Sequence, residues 1–159
     1  MSKTSTISLI CFILFGFIEQ TNGQGISNQQ KSTIEKQVDS VFFSMIKAAE
    51  NFDYDKLAQG VDDNYKSGFI INDTYFIRFD SLINILKNRS LGATNQKITI
   101  QKEKITVLSD SIVLLTAFGE TTFDTSSGNS NSAKFYWSFV YEKINKNWKV
   151  VQSHQSNYR

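Results

Sequence analysis

The sequence predicts an α+β domain, with helices gathered ahead of an antiparallel meander. Apolar residues recur at helical spacing from Ile34 to Ala49. From Lys97 onward the period switches to two. Polar clusters punctuate that second part: Ser109-Asp110, the Ser/Gly/Asn-rich stretch 125–132, and Asn145-Lys146-Asn147. Helices followed by consecutive antiparallel strands form a layered α+β architecture, and a chain of 159 residues makes one domain the default.

The elements follow in order. Gly25 to Lys31 is polar and reads as a loose tail. Ser32-Thr-Ile-Glu35 has capping-box spacing, so a first helix is expected from there to about Asn51, with Ile34, Val38, Val41, Phe42, Met45 and Ala49 inward. Asp53 suits the N-cap of a short second helix, Tyr54 to Gln59, stopped by Gly60. Lys66–Ile71 and Thr74–Phe79 read as strands joined by Asn72-Asp73, both tolerant of positive φ. Asp80 is the expected cap of a third helix, Ser81 to Lys87. Four strands complete the chain, at Lys97–Leu108, Ser111–Asp124, Lys134–Ile144 and Trp148–Asn157.

The N-terminus has a different character. Lys3 precedes an apolar run, Ile7 to Ile18, and small residues then surround Asn22. A charged start, an apolar stretch of about a dozen residues and small residues before a cut are the pattern of a secretory signal peptide. The run is shorter than the roughly 20 residues a membrane span needs. Residues 1–23 are therefore expected to be a cleaved leader, 24–31 a flexible tail and 32–159 the domain, in a secreted or periplasmic protein. Cys11, the one cysteine, falls inside the leader, so the mature chain is held by its core alone.

Composition narrows the function classes. The net charge is +2 and its cations are interspersed with acids, so the concentrated basic face of a nucleic-acid binder is missing. There is no G-x-S-x-G and no phosphate loop, and no cofactor is expected. A single histidine, His154, cannot build a multi-histidine metal site. Asp62-Asp63 reads as a solvated loop rather than a cation site. The sequons at Asn72 and Asn88 are not expected to carry glycans, because composition and leader have a bacterial character.

The order α-α-β-β-α-β-β-β-β, the helix pair with Phe52-Asp53, the aromatic hairpin from Gly68 to Phe79 and the closing strand from Trp148 together resemble the NTF2-like (SnoaL-like, cystatin-like) superfamily. The resemblance spans about Ser32 to Asn157. It implies a cone of three helices on a strongly curved antiparallel sheet, with a cup for a small ligand and often a homodimer through the outer face of the sheet. Its strand pattern implies that Phe118, Glu120, Trp137, Phe139, Tyr141, Ser153 and Gln155 face the cup. Phe42, Met45, Tyr65 and Phe69 complete the expected lining. Val113, Leu115, Tyr136, Val140 and Val150 would then form the outer, dimerising face.

Glu120 is the sharpest catalytic candidate. A carboxylate among aromatic walls suits a general base, because desolvation favours its protonated form. His154 is the second candidate, with its face left open because one bulge would reverse it. The ketosteroid isomerase set is not carried over: Ser67 or Gly68 stands at the base position, and a residue near Met45 replaces the donor tyrosine. Two functions follow from the resemblance. One is a secreted module that binds a small apolar or amphipathic molecule or assembles as a dimer. The alternative is a cofactor-independent isomerase, cyclase or dehydratase using Glu120.

Overall fold

The computed structural model describes residues 25–158. The expected leader, its cleavage point and Cys11 lie outside the described residues. Helix α1 spans Asn28–Glu50 and so starts four positions before the Ser32 box, inside the expected tail. The reason is local. Ser27 and Gln30 form their own capping box, with Gln30 N donating to Ser27 Oγ at 3.2 Å and Ser27 N donating to Gln30 Oε1 at 2.9 Å. Ile34, Val38, Phe42 and Ile46 form the buried stripe of α1, with Val41, Met45 and Ala49 packed beside it.

Phe52 takes a positive φ of 55° and turns the chain into α2, Tyr54–Gln59, capped by Asp53 through Lys56 N at 3.0 Å. Strands β1 (Phe69–Ile71) and β2 (Thr74–Phe76) are shorter than expected and are joined through Asn72 at φ 54°. Helix α3 runs Phe79–Arg89. Its cap is not Asp80: the Asp63 carboxylate, distant in sequence, accepts Phe79 N at 3.1 Å. Asp62 accepts Asn64 N at 2.9 Å and its own N–H donates to Val150 O on β6 at 2.9 Å, so with Asp63 on α3 the acidic pair ties the loop to both elements rather than being merely solvated.

Strands β3 (Ala93–Val107), β4 (Ile112–Thr125), β5 (Ser130–Ile144) and β6 (Asn147–Tyr158) form the meander. The six-stranded sheet is ordered β2-β1-β6-β5-β4-β3, antiparallel except for the parallel pair β1–β6. Asn145 and Lys146, both at positive φ, make the tight turn into β6. Irregularities in β3 between Ile100 and Lys102, and between β5 and β6 at Val140/Tyr141, sharpen the local twist and curl the sheet. Helix α1 lies in the concavity. Glu50 Oε1 accepts Ile98 N at 2.8 Å on the edge strand β3, and Trp148 Nε1 donates to Gln37 Oε1 at 3.0 Å. Among the described residues no helix is long and apolar enough to cross a membrane.

Candidate functional site: the cup between helices and sheet

The three helices and the concave face of the sheet enclose a cavity of about 720 Å³. Phe42, Met45 and Ile46 of α1 form one wall, and Leu57, Leu82 and Leu86 of α2 and α3 form another. The sheet contributes Trp137, Phe139 and Tyr141 of β5 with Ser153 and Gln155 of β6. Seven of the sequence-expected residues therefore line it: Phe42, Met45, Trp137, Phe139, Tyr141, Ser153 and Gln155.

Four expected residues do not line it. Tyr65 is exposed on the surface and donates its hydroxyl to Glu142 Oε1 at 2.9 Å, a bond that raises the phenol above its ordinary value. Phe69 is fully buried in the core against Phe79, with ring centres 5.1 Å apart. Phe118 and Glu120 lie on the outer face of β4. The register decides this: Ala117 pairs with Trp137 and Leu115 with Phe139, so the odd positions of β4 share the concave face with the odd positions of β5. Glu120 pairs with Thr99 and Lys134 on the other side of the sheet. His154 is also outside, exposed, with its Nε2 3.4 Å from Ser156 Oγ.

The expected outer set changes with this register. Val113, Leu115 and Val150 are core residues with at most 1% exposure. Val150 joins the concave face because the irregularity in the β5–β6 register pairs Tyr141 with Val150 and Val140 with Gln152, passing over Val151. Tyr136 and Val140 keep their expected places on the outer face, where Phe118, Tyr136 and Tyr158 form a row whose rings contact in series at 5.9 Å each. Gly119 shows why β4 is small-sided inside. A Cβ there would collide with the Thr99 carbonyl and approach the Phe135 ring to 2.8 Å, and that ring stacks on Trp137 at 3.8 Å.

Polar groups in the cavity are neutral apart from one cation. Gln155 Nε2 reaches Ser153 Oγ at 3.4 Å, and Ser153 is buried. The Tyr141 hydroxyl reaches Met45 Sδ at 3.9 Å, and burial, followed by the nearby Glu103 charge, pushes its pKa upward. Such a phenol is a poor base at neutral pH. Asn72, Gln96, Thr121 and Asn157 stand toward the mouth with Arg89, and no acid or histidine is among the lining residues.

Sequence reasoning missed one ionisable pair. Glu103 of β3 meets Asp39 of α1 beside the cavity wall. Burial first, then the hydrogen bond and negative charge of Asp39, push the Glu103 carboxyl up to about 7. Glu103 Oε2 and Trp137 Nε1 are buried without hydrogen-bond partners, on either side of Ala117 in the sheet register. The signal was present in an acid at an inward alternation of β3 (Glu103, Ile105, Val107). Among the described residues no cluster of three or more acids, histidines or cysteines is placed to hold a metal ion.

The SnoaL-like domain family matches residues 38–158, which is three quarters of the chain and takes in both the cup and the sheet. The chain belongs to the SnoaL-like domain family. No curated protein matches it. Solved structures share the NTF2-like fold with this SnoaL-like domain. An NTF2-like protein from Shewanella oneidensis is 21% identical with a TM-score of 0.57, over 77% of this chain and 98% of that one. An NTF2-like superfamily protein from Salmonella enterica is 15% identical with a TM-score of 0.72, over 81% and 94%. A hexachlorocyclohexane dehydrochlorinase from Novosphingobium barchaimii is 9% identical with a TM-score of 0.69, over 82% and 90%. Identities this low establish the fold alone.

Proposed function

We propose that this SnoaL-like domain is an exported binding module that takes a small apolar or amphipathic molecule into its cup. One observation carries the reading: a cavity of about 720 Å³ whose walls are apolar and aromatic and whose lining residues include no carboxylate or imidazole. That volume lies within the usual range for small-molecule sites, and a few neutral polar groups on apolar walls orient a ligand without reacting with it. Titration with the neutral fluorescent probe N-phenyl-1-naphthylamine tests it. The expected result is one saturable site per chain, abolished by Ala133→Trp, which places an indole among the lining residues. Probe binding that the variant leaves intact contradicts the reading. Export rests on the Lys3 and Ile7–Ile18 pattern and predicts a mature N-terminus at Gln24. N-terminal sequencing that finds Met1 retained overturns it.

Assembly as a homodimer through the outer sheet face is supported by the row Phe118, Tyr136 and Tyr158, exposed by 36%, 58% and 58%. Sedimentation is expected to give a dimer at micromolar concentration and a monomer for Tyr136→Glu. The alternative reading, an isomerase, cyclase or lyase, draws support from the dehydrochlorinase among the structural neighbours. Glu120 is not its base, because it stands on the opposite face of the sheet from the cavity.

A further inference from the structure

The polarity of the cavity runs along the strands. Leu57, Val61, Tyr141 and Val150 close one end. At the other end, where β3 and α3 come together, stand Gln96, Thr121 and Asn157 with Arg89 and Ser90 from the last turn of α3 and its cap. Arg89 is the one formally charged side chain among the lining residues. The other cations of α3 and its N-cap are already engaged: Arg78 lies 3.2 Å from Asp80 and 3.8 Å from Asp63, and Lys87 lies 3.7 Å from Asp55. Among the described residues no carboxylate lies within ion-pairing distance of Arg89. Asp124, close by in the strand register, points to the outer face and is held by Asn95 Nδ2 at 3.1 Å.

Resting on the binding reading above, we propose that the ligand is an amphipath with a carboxylate at one end, its apolar body on the floor of the cup and its anionic head at the rim against Arg89 and Gln96. A guanidinium offers a planar fork that matches a carboxylate, and the amide of Gln96 adds a neutral donor. The mainly apolar end wall disfavours the reverse orientation, because a carboxylate buried there would find no cation and only one neutral donor, the Tyr141 hydroxyl, to replace water. An uncharged amphipath of the same length lacks the contact with Arg89, so the cup discriminates by head group. The contact is solvent-exposed, which limits the preference to about five-fold and makes it weaken with salt.

Calorimetric titration with decanoate and with decanol at pH 8 tests this, using the whole mature chain and its Arg89→Gln and Arg89→Lys variants. Arg89 is exposed, so neither change threatens the fold. The expected result is tighter binding of decanoate than decanol. Arg89→Gln should weaken decanoate about five-fold and leave decanol unchanged, with Arg89→Lys in between. Equal binding of the two probes to the unaltered protein, insensitive to Arg89→Gln, overturns the head-group inference and leaves the binding reading standing. Failure of both probes to bind overturns both.

Discussion

Two neighbouring stretches of the α1–sheet interface are built from opposite materials. Phe42, Met45 and Ile46 face a void walled by rings and aliphatic chains, with neutral amides and hydroxyls among them. One turn earlier, Asp39 meets Glu103, and there is a titratable carboxyl but neither residue lines the cavity. Ala117 of β4 stands between the two regions, paired with Glu103 on one side and Trp137 on the other. The titratable pair and the cavity are thus kept apart in this domain. On the proposed reading the void would select by shape and polarity, whereas the acid pair would make the packing of α1 on β3 sensitive to pH.

That separation depends on which face of β4 points inward, so the largest effect tests the register. Leu115→Asp places a charge at a fully buried position and is expected to leave no folded protein. Thr116→Asp, one residue along on the exposed face, is expected to stay within about 0.5 kcal/mol of the parent in urea unfolding. Equal tolerance of the two breaks the comparison at its base.

Trp137→Ala removes the ring shared by the two regions. A loss of about 3–5 kcal/mol is expected from urea midpoints, with probe binding reduced as well.

The acid pair yields a pH effect of definite sign. Glu103 titrates at about 7 in the fold, above its ordinary value of 4.5. The native state therefore holds that proton more tightly than the unfolded chain. Its stabilising contribution is fully present below about pH 4.5 and is lost as pH rises through about 7. Thermal unfolding of Glu103→Gln is expected to show a flatter profile between pH 5 and 8, with the variant gaining on the parent at the alkaline end. Parallel profiles would remove the acid pair from the account. Glu120→Gln carries the smallest expectation: probe affinity unchanged, and stability within about 0.5 kcal/mol, as for an ordinary outer-face substitution.

Much of the fold is legible in the residues. The Asp53 cap and Gly60 stop fix α2, and the turns at Asn72 and Asn145-Lys146 fix two hairpins, because these signals are local. The helix α3 cap was not legible, since its donor Phe79 N finds Asp63 sixteen residues away. The site was half legible. Alternation in β5 and in the second half of β6 gives Trp137, Phe139, Ser153 and Gln155 correctly as one face. In β4 the pattern assigns two faces but not which is inside. The resemblance favoured Phe118 and Glu120, yet the opposite set, Val113, Leu115, Ala117, Gly119 and Thr121, carries no charge and is apolar up to its last member, and Ala117 and Gly119 are small enough to lie under the β5 rings. The absence of a charged residue was the better guide. The β5–β6 irregularity at Val151 reversed Val150 for a reason no local residue announces.

The function proposed for this domain depends on the cavity holding a ligand. A native mass spectrum of the protein purified from its own host, beside the Ala133→Trp variant, tests it most directly. The expected spectrum shows a bound small molecule at one copy per chain in the parent, lost from the variant while the fold and subunit count persist. A parent protein that carries no such adduct and also fails to take up added decanoate or N-phenyl-1-naphthylamine would contradict it.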